Sequence, residues 1–79
     1  MLIRYFAGAA EAAGAQSTHV DASDMDAGTL VQMLGRDNPD LERILKVSSL
    51  LADGVRVSAA STSLADVSQI DVLPPFAGG

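Results

Sequence analysis

Cysteine is absent from the 79 residues, so the chain has no disulfide, no thiolate metal site and no cysteine nucleophile. Basic residues are scarce: five Lys and Arg stand against ten Asp and Glu, a formal net charge of −5. That balance argues against a nucleic-acid surface, where phosphates must be neutralised, and against an anionic membrane surface. No apolar run approaches the roughly 18 residues needed to cross a bilayer. Arg4 and Glu11 interrupt the apolar N-terminal stretch, which therefore does not read as a secretory signal. The single histidine, His19, has no carboxylate cluster beside it, and the aspartates do not follow a calcium-loop spacing, so no metal site is expected. The glycine-bearing stretch 8–14 lacks the Lys-Ser/Thr ending of a phosphate loop. The serine-rich stretch 58–63 has no histidine near it for a triad, and Lys46 reads as a solvated side chain. What remains is a cytoplasmic, single-domain chain over 1–79, with 48% hydrophobic and 19% charged residues, globular in composition. A chain this short buries only about 60–65% of its unfolded surface, so it depends on tight packing or on a partner.

Patterning supplies the elements. Residues 2–7 are apolar and partly aromatic and read as a strand. Residues 9–13 read as a short helical turn closed by Gly14 in the left-handed conformation, and 17–21 return as a second strand. Thr29 is the expected cap of a helix whose Leu30, Met33 and Leu34 share one face. Pro39 opens a short second helix with Leu41, Ile44 and Leu45 on its apolar side. Strands follow at 47–52 and 55–57 around the tight Asp53-Gly54 turn, and a last strand is expected at 69–73. One main helix cannot cover both faces of such a sheet. The economical arrangement is an α+β fold, a mixed sheet wrapped around that helix with its other face open, which is the β-grasp or ubiquitin-like arrangement.

Period-two alternation then sorts the side chains. Ile3, Tyr5, Ile70 and Val72 form an all-apolar set that should face the helix. Phe6 and Leu73 are left on the open face with Arg4 and Asp71, an apolar pair with a charged rim, the composition of a protein-binding surface.

The C-terminus is the most informative segment. Two prolines cannot continue a central strand, so the sheet ends near Leu73, and Pro74 and Pro75 hold the backbone extended. Phe76, Ala77, Gly78 and Gly79 follow as a flexible tail with a reach of about 13–14 Å when stretched. Residues without side chains thread a narrow tunnel, so this tail can present its carboxylate to another protein's catalytic groups. That carboxylate is ionised at neutral pH and is a poor electrophile. Conversion to an acyl-adenylate by an ATP-using partner gives the carbonyl a good leaving group, and a sulfur donor displacing AMP leaves a thiocarboxylate on Gly79. Nothing in the chain itself needs to act as acid or base.

The tail resembles that of the molybdopterin synthase small subunits (MoaD/ThiS-like sulfur carriers), whose members end in two prolines, a variable pair and Gly-Gly. The stretch from Tyr5 to Gly14 is similar to that family's aromatic strand, Ala/Glu-rich turn and glycine. The Thr29-Leu30 helix start and the Leu50-Leu51-Ala52-Asp53-Gly54 hairpin fall at matching places, so the likeness covers nearly the whole chain. Asp53 stands where the family usually has asparagine, and Asp66-Val67-Ser68-Gln69 replaces a more acidic turn. The resemblance implies that Gly79 is adenylated by an E1-like adenylyltransferase using ATP, with no cofactor bound to the carrier itself. A sulfurtransferase or cysteine desulfurase then supplies sulfur. It implies that the thiocarboxylate enters the large subunit of the synthase and donates sulfur to cyclic pyranopterin monophosphate, building the dithiolene of molybdopterin. Gly78 is then the slim neighbour that allows entry, Pro74, Pro75 and Phe76 guide the tail, and Phe6 and Leu73 dock the partners. On this reading the chain is no enzyme by itself but the sulfur-donating subunit of a heteromeric one. A carrier for thiazole or cysteine biosynthesis, and a β-grasp interaction module with no chemistry at its terminus, are the alternatives. The paired prolines favour the molybdopterin branch.

Overall fold

In the computed structural model, which describes residues 1–75, the chain runs β1 (Leu2–Tyr5), α1 (Gly8–Ala13), β2 (Ser17–His19), α2 (Ala27–Gly35), α3 (Pro39–Val47), β3 (Ser49–Ala52), β4 (Val55–Arg56) and β5 (Gln69–Leu73). The strands form one sheet in the order β2-β1-β5-β3-β4. The β1–β5 pair is parallel and the other pairs are antiparallel, so the sheet is mixed and the last strand lies at its centre. This is the β-grasp arrangement that the element order predicts. Ile3, Tyr5, Ile70 and Val72 are all buried on the helix side, as alternation requires, and meet Leu30, Leu41 and Leu45 from the helices. Leu64 is fully buried too, a core plug in a segment that reads from sequence only as a turn.

The helical layer differs from the expected single main helix. α2 and α3 are equally long at nine residues each. Asn38 explains the length of α3: its Oδ1 accepts from the Leu41 N–H at 3.1 Å while its Nδ2 donates to the Ala12 carbonyl at 2.8 Å, tying the helix start to α1. α2 begins three residues before the expected position, because Asp26 and not Thr29 is the cap. Its carboxylate accepts from the Thr29 N–H at 2.8 Å, and the Ala27 and Gly28 N–H groups donate to the Thr62 and Ala60 carbonyls. The donors of the first three helical residues are thereby satisfied.

Four strands are shorter than patterning suggests, β4 among them, which ends at Arg56 instead of residue 57. β1 stops at Tyr5 because Ala7 takes φ 49° and ψ −126°, a corner that favours glycine and turns the chain into α1. β2 ends at His19 instead of residue 21, and β3 starts at Ser49 because α3 persists through Val47. The β3–β4 turn forms as expected, with Asp53 and Gly54 at φ 48° and 84°. Asp53 also clips the turn to the β5 entry: its carboxylate accepts from the Ser68 and Gln69 N–H groups, both at 3.0 Å.

Candidate functional site: the open sheet face and the tail exit

Register places the outward-facing side chains in rows across the sheet. Arg4 stands opposite Ser17 on one side and Asp71 on the other; Asp71 stands opposite Leu51, and Leu51 opposite Arg56. The central row of the open face is therefore Ser17, Arg4, Asp71, Leu51 and Arg56. One row nearer the tail, Leu73 is opposite Ser49, and the Phe6 N–H donates to the Val72 carbonyl, which keeps Phe6 beside the end of β5.

Arg4 and Asp71 form a bidentate pair: Nε to Oδ1 is 2.8 Å and Nη2 to Oδ2 is 3.0 Å. Gln69 Nε2 adds a third bond to Asp71 Oδ1 at 3.1 Å. The Arg4 guanidinium also lies 5.2 Å from the centroid of the Phe6 ring, a cation–π contact that holds the aromatic against the sheet. Asp71 does not sit on a charged rim as the sequence suggests. It is 8% exposed, beneath Arg4, and its charge is spent internally. Hydrogen bonds from Arg4, helped by its charge, hold the Asp71 carboxyl below its ordinary value against the opposing effect of burial. The same hydrogen bond raises Arg4.

Phe6 and Leu73 are both half-buried and lie at the tail end of this face, with Arg4 and Asp71 next to them. Phe6, Arg4, Ala7, Ala10, Gln16 and Ser17 line a surface depression of about 420 Å³. Leu51 and Arg56 belong to the same face, though the Phe6–Leu73 pairing alone does not include them. Alternation carried through the Asp53-Gly54 hairpin is the signal that finds them. The chain leaves the sheet from its middle strand: Pro74 follows Leu73 outside the ladder, and Pro75 is exposed and lies in a turn, where an extended backbone was expected. Phe76, Ala77, Gly78 and Gly79 lie outside the described residues. Among the described residues no cluster of His, Asp or Glu is arranged to hold a metal ion, and no helix is long and apolar enough to cross a membrane. His19 is exposed on β2, opposite Leu2.

Solved structures share this architecture. SAMP1 from Haloferax volcanii matches with a TM-score of 0.79 and 27% identity, covering 100% of this chain and 98% of that one. A second structure, described as the H. volcanii small archaeal modifier protein 1, matches at 0.78 and 26% identity over 96% and 97%. The solution structure of the HVO 2177 protein of the same organism matches at 0.77 and 27% identity over 99% and 84%. No curated protein matches the chain. The ThiS family profile matches residues 3–79, nearly the full length. Sheet order, tail composition and this match agree: the chain belongs to the ThiS family of MoaD/ThiS-like, ubiquitin-fold sulfur carriers, small non-catalytic proteins that work with E1-like activating enzymes.

Proposed function

We propose that the chain is the sulfur-carrying small subunit of a molybdopterin synthase, loaded at the Gly79 carboxyl. The observation that supports this most directly is the position of the exit. β5 is the middle strand, and it ends at Leu73 immediately before Pro74-Pro75-Phe76-Ala77-Gly78-Gly79. A rigid sheet therefore holds the base of the tail, beside an open face that carries Phe6 and Leu73 for docking. An E1-like partner spends ATP to adenylate Gly79, with loss of pyrophosphate. A persulfide on a sulfurtransferase or cysteine desulfurase displaces AMP to give a mixed acyl disulfide. A thiol reductant cleaves its S–S bond and leaves as a disulfide, and the freed thiocarboxylate passes to the large subunit and to cyclic pyranopterin monophosphate. The carrier contributes address and reach, and the partners contribute acid, base and nucleotide. The paired prolines favour this product over thiazole or cysteine.

A second reading has its own support, because two of the similar structures are modifier proteins from H. volcanii. Activated Gly79 would then be captured by an amine of a target protein instead of by sulfur. One experiment separates the two. The purified chain is incubated with its E1-like enzyme, ATP, a persulfide donor, a thiol reductant and amine-bearing target protein, and intact mass is followed. A gain equal to the sulfur–oxygen mass difference, mapped to Gly79, supports the carrier. Amide-linked adducts with no such gain support the modifier, and an unchanged mass with an authentic activating enzyme would falsify both.

A further inference from the structure

Charge is distributed unevenly over this acidic molecule. Ten acidic residues outnumber five basic ones in the chain, yet the central row of the open face holds two cations, Arg4 and Arg56, against one carboxylate, Asp71. Asp71 is already neutralised by Arg4. Arg56 makes no ion pair among the described residues and is exposed on β4. Asp21, Asp53 and Asp66 belong to loops that follow β2, follow β3 and precede β5. By the strand register these loops lie at the end of the sheet opposite the tail exit. The face is thus acidic at its far end and carries a free cation on its middle row, and its tail end is apolar, with Phe6 and Leu73.

We infer that Arg56, with Leu51 beside it, is a specificity-determining contact for an acidic protein surface, and that this surface belongs to the E1-like adenylyltransferase. The inference rests on the carrier reading above and adds the partner's chemistry to it. Three strand spacings separate β4 from β1, so Arg56 lies about 14 Å from Arg4 across the sheet. That separation exceeds the Debye length of about 8 Å at physiological salt, so Arg56 acts as an independent charge. A partner carboxylate meeting Arg56, with apolar side chains over Leu51 and Leu73, fixes the rotation of the carrier on its partner. The acidic far end repels the same surface, so only the orientation that brings the tail exit towards the adenylating site is favoured. Charges in such a rim position act chiefly on encounter rate and register.

The test is steady-state thiocarboxylation of the full chain by its E1-like enzyme with ATP, a persulfide donor and a thiol reductant, varying carrier and salt concentration. Arg56→Glu is expected to raise the KM for the carrier by about tenfold with kcat within about twofold, and Arg56→Lys to restore most of the loss. Raising the salt should raise the wild-type KM and narrow the gap between wild type and Arg56→Glu. Arg43→Glu is the control, since it makes the same change in net charge on the exposed side of α3. The inference is overturned if Arg56→Glu leaves KM within twofold, or if Arg43→Glu raises it equally, which would mean bulk charge is responsible. It is equally overturned if KM ignores Arg56 while a dimer of the carrier depends on it, which would assign the face to a second copy. Wild-type chain that gains no sulfur at all removes the carrier reading, a result separate from a carrier that loads normally but is indifferent to Arg56.

Discussion

Asp71 carries more of the open face than any other side chain, because it accepts three hydrogen bonds while 8% exposed. Its folded pKa lies below the ordinary 3.8, so its contribution to stability is complete above that value and is lost as pH falls through the lowered one. Replacing it by Asn keeps the shape and one acceptor but removes the charge. Asp71→Asn should therefore lower stability at neutral pH by about 1 kcal/mol, a modest figure because the Arg4 head is half-exposed and screened. The difference should shrink below about pH 4, where the Asp71 carboxyl of the unfolded chain takes up its proton, and disappear as pH falls through the lowered folded value. Urea unfolding of both proteins across the acid range checks this, and parallel stability curves for the two would count against the ion pair. Asp26 follows the same sign: backbone hydrogen bonding from Thr29 lowers its pKa, so the α2 cap weakens in acid.

At the scale of elements, the contact between the two long helices is set by one residue. A Cβ built on Gly35 would lie 3.0 Å from Glu42 Cβ and 3.1 Å from its Cα. Those are backbone-proximal atoms of α3 that cannot swing aside. Gly35→Ala gains helix propensity of up to about 1 kcal/mol but forces α2 and α3 apart, which costs about 1–3 kcal/mol. We expect a net loss of about 1 kcal/mol, read as a lower urea midpoint with an unchanged slope. A gain in stability would mean that the helices part freely. The loop between β4 and β5 belongs to this scale as well. It supplies carbonyls to the start of α2 and the buried Leu64 to the core, so it is a structural element without regular secondary structure.

At the scale of the whole molecule, folding and chemistry are separable. Among the described residues the core runs from Ile3 to Val72, and the reactive group that we propose is the last residue of the chain. Deleting Gly79 should leave the thermal midpoint within about 1 °C, since a terminal glycine has no side chain to bury. The same deletion should abolish sulfur loading, because the new terminus is one residue short of the adenylating site. A large drop in the midpoint would show that the tail supports the fold.

Much of the architecture is legible in the order of the elements. The Leu/Ile/Val strands, the Gly14 and Asp53-Gly54 stops and the amphipathic Leu30–Leu34 stretch suffice for a mixed sheet beside helices, because hydrophobic periodicity is a local property. Element ends are less legible. The Thr29 and Asp26 alternatives are both good caps, and the choice falls to Asp26 because the 58–63 loop reaches the helix start. The placing of Phe6 and Leu73 on the open face is legible from alternation.

What the sequence by itself determined is the set of faces and the composition of the terminus: which residues alternate inward, where the prolines end the last strand, and that two glycines close the chain. Only the tertiary structure decided how those faces combine. It buried Asp71 beneath Arg4, brought Leu51 and Arg56 from a distant hairpin onto the same row, and left Arg56 without an ion pair among the described residues. The reason is that charge and burial at a surface depend on strand register between segments far apart in sequence, and register is fixed by long-range pairing, which no local pattern contains.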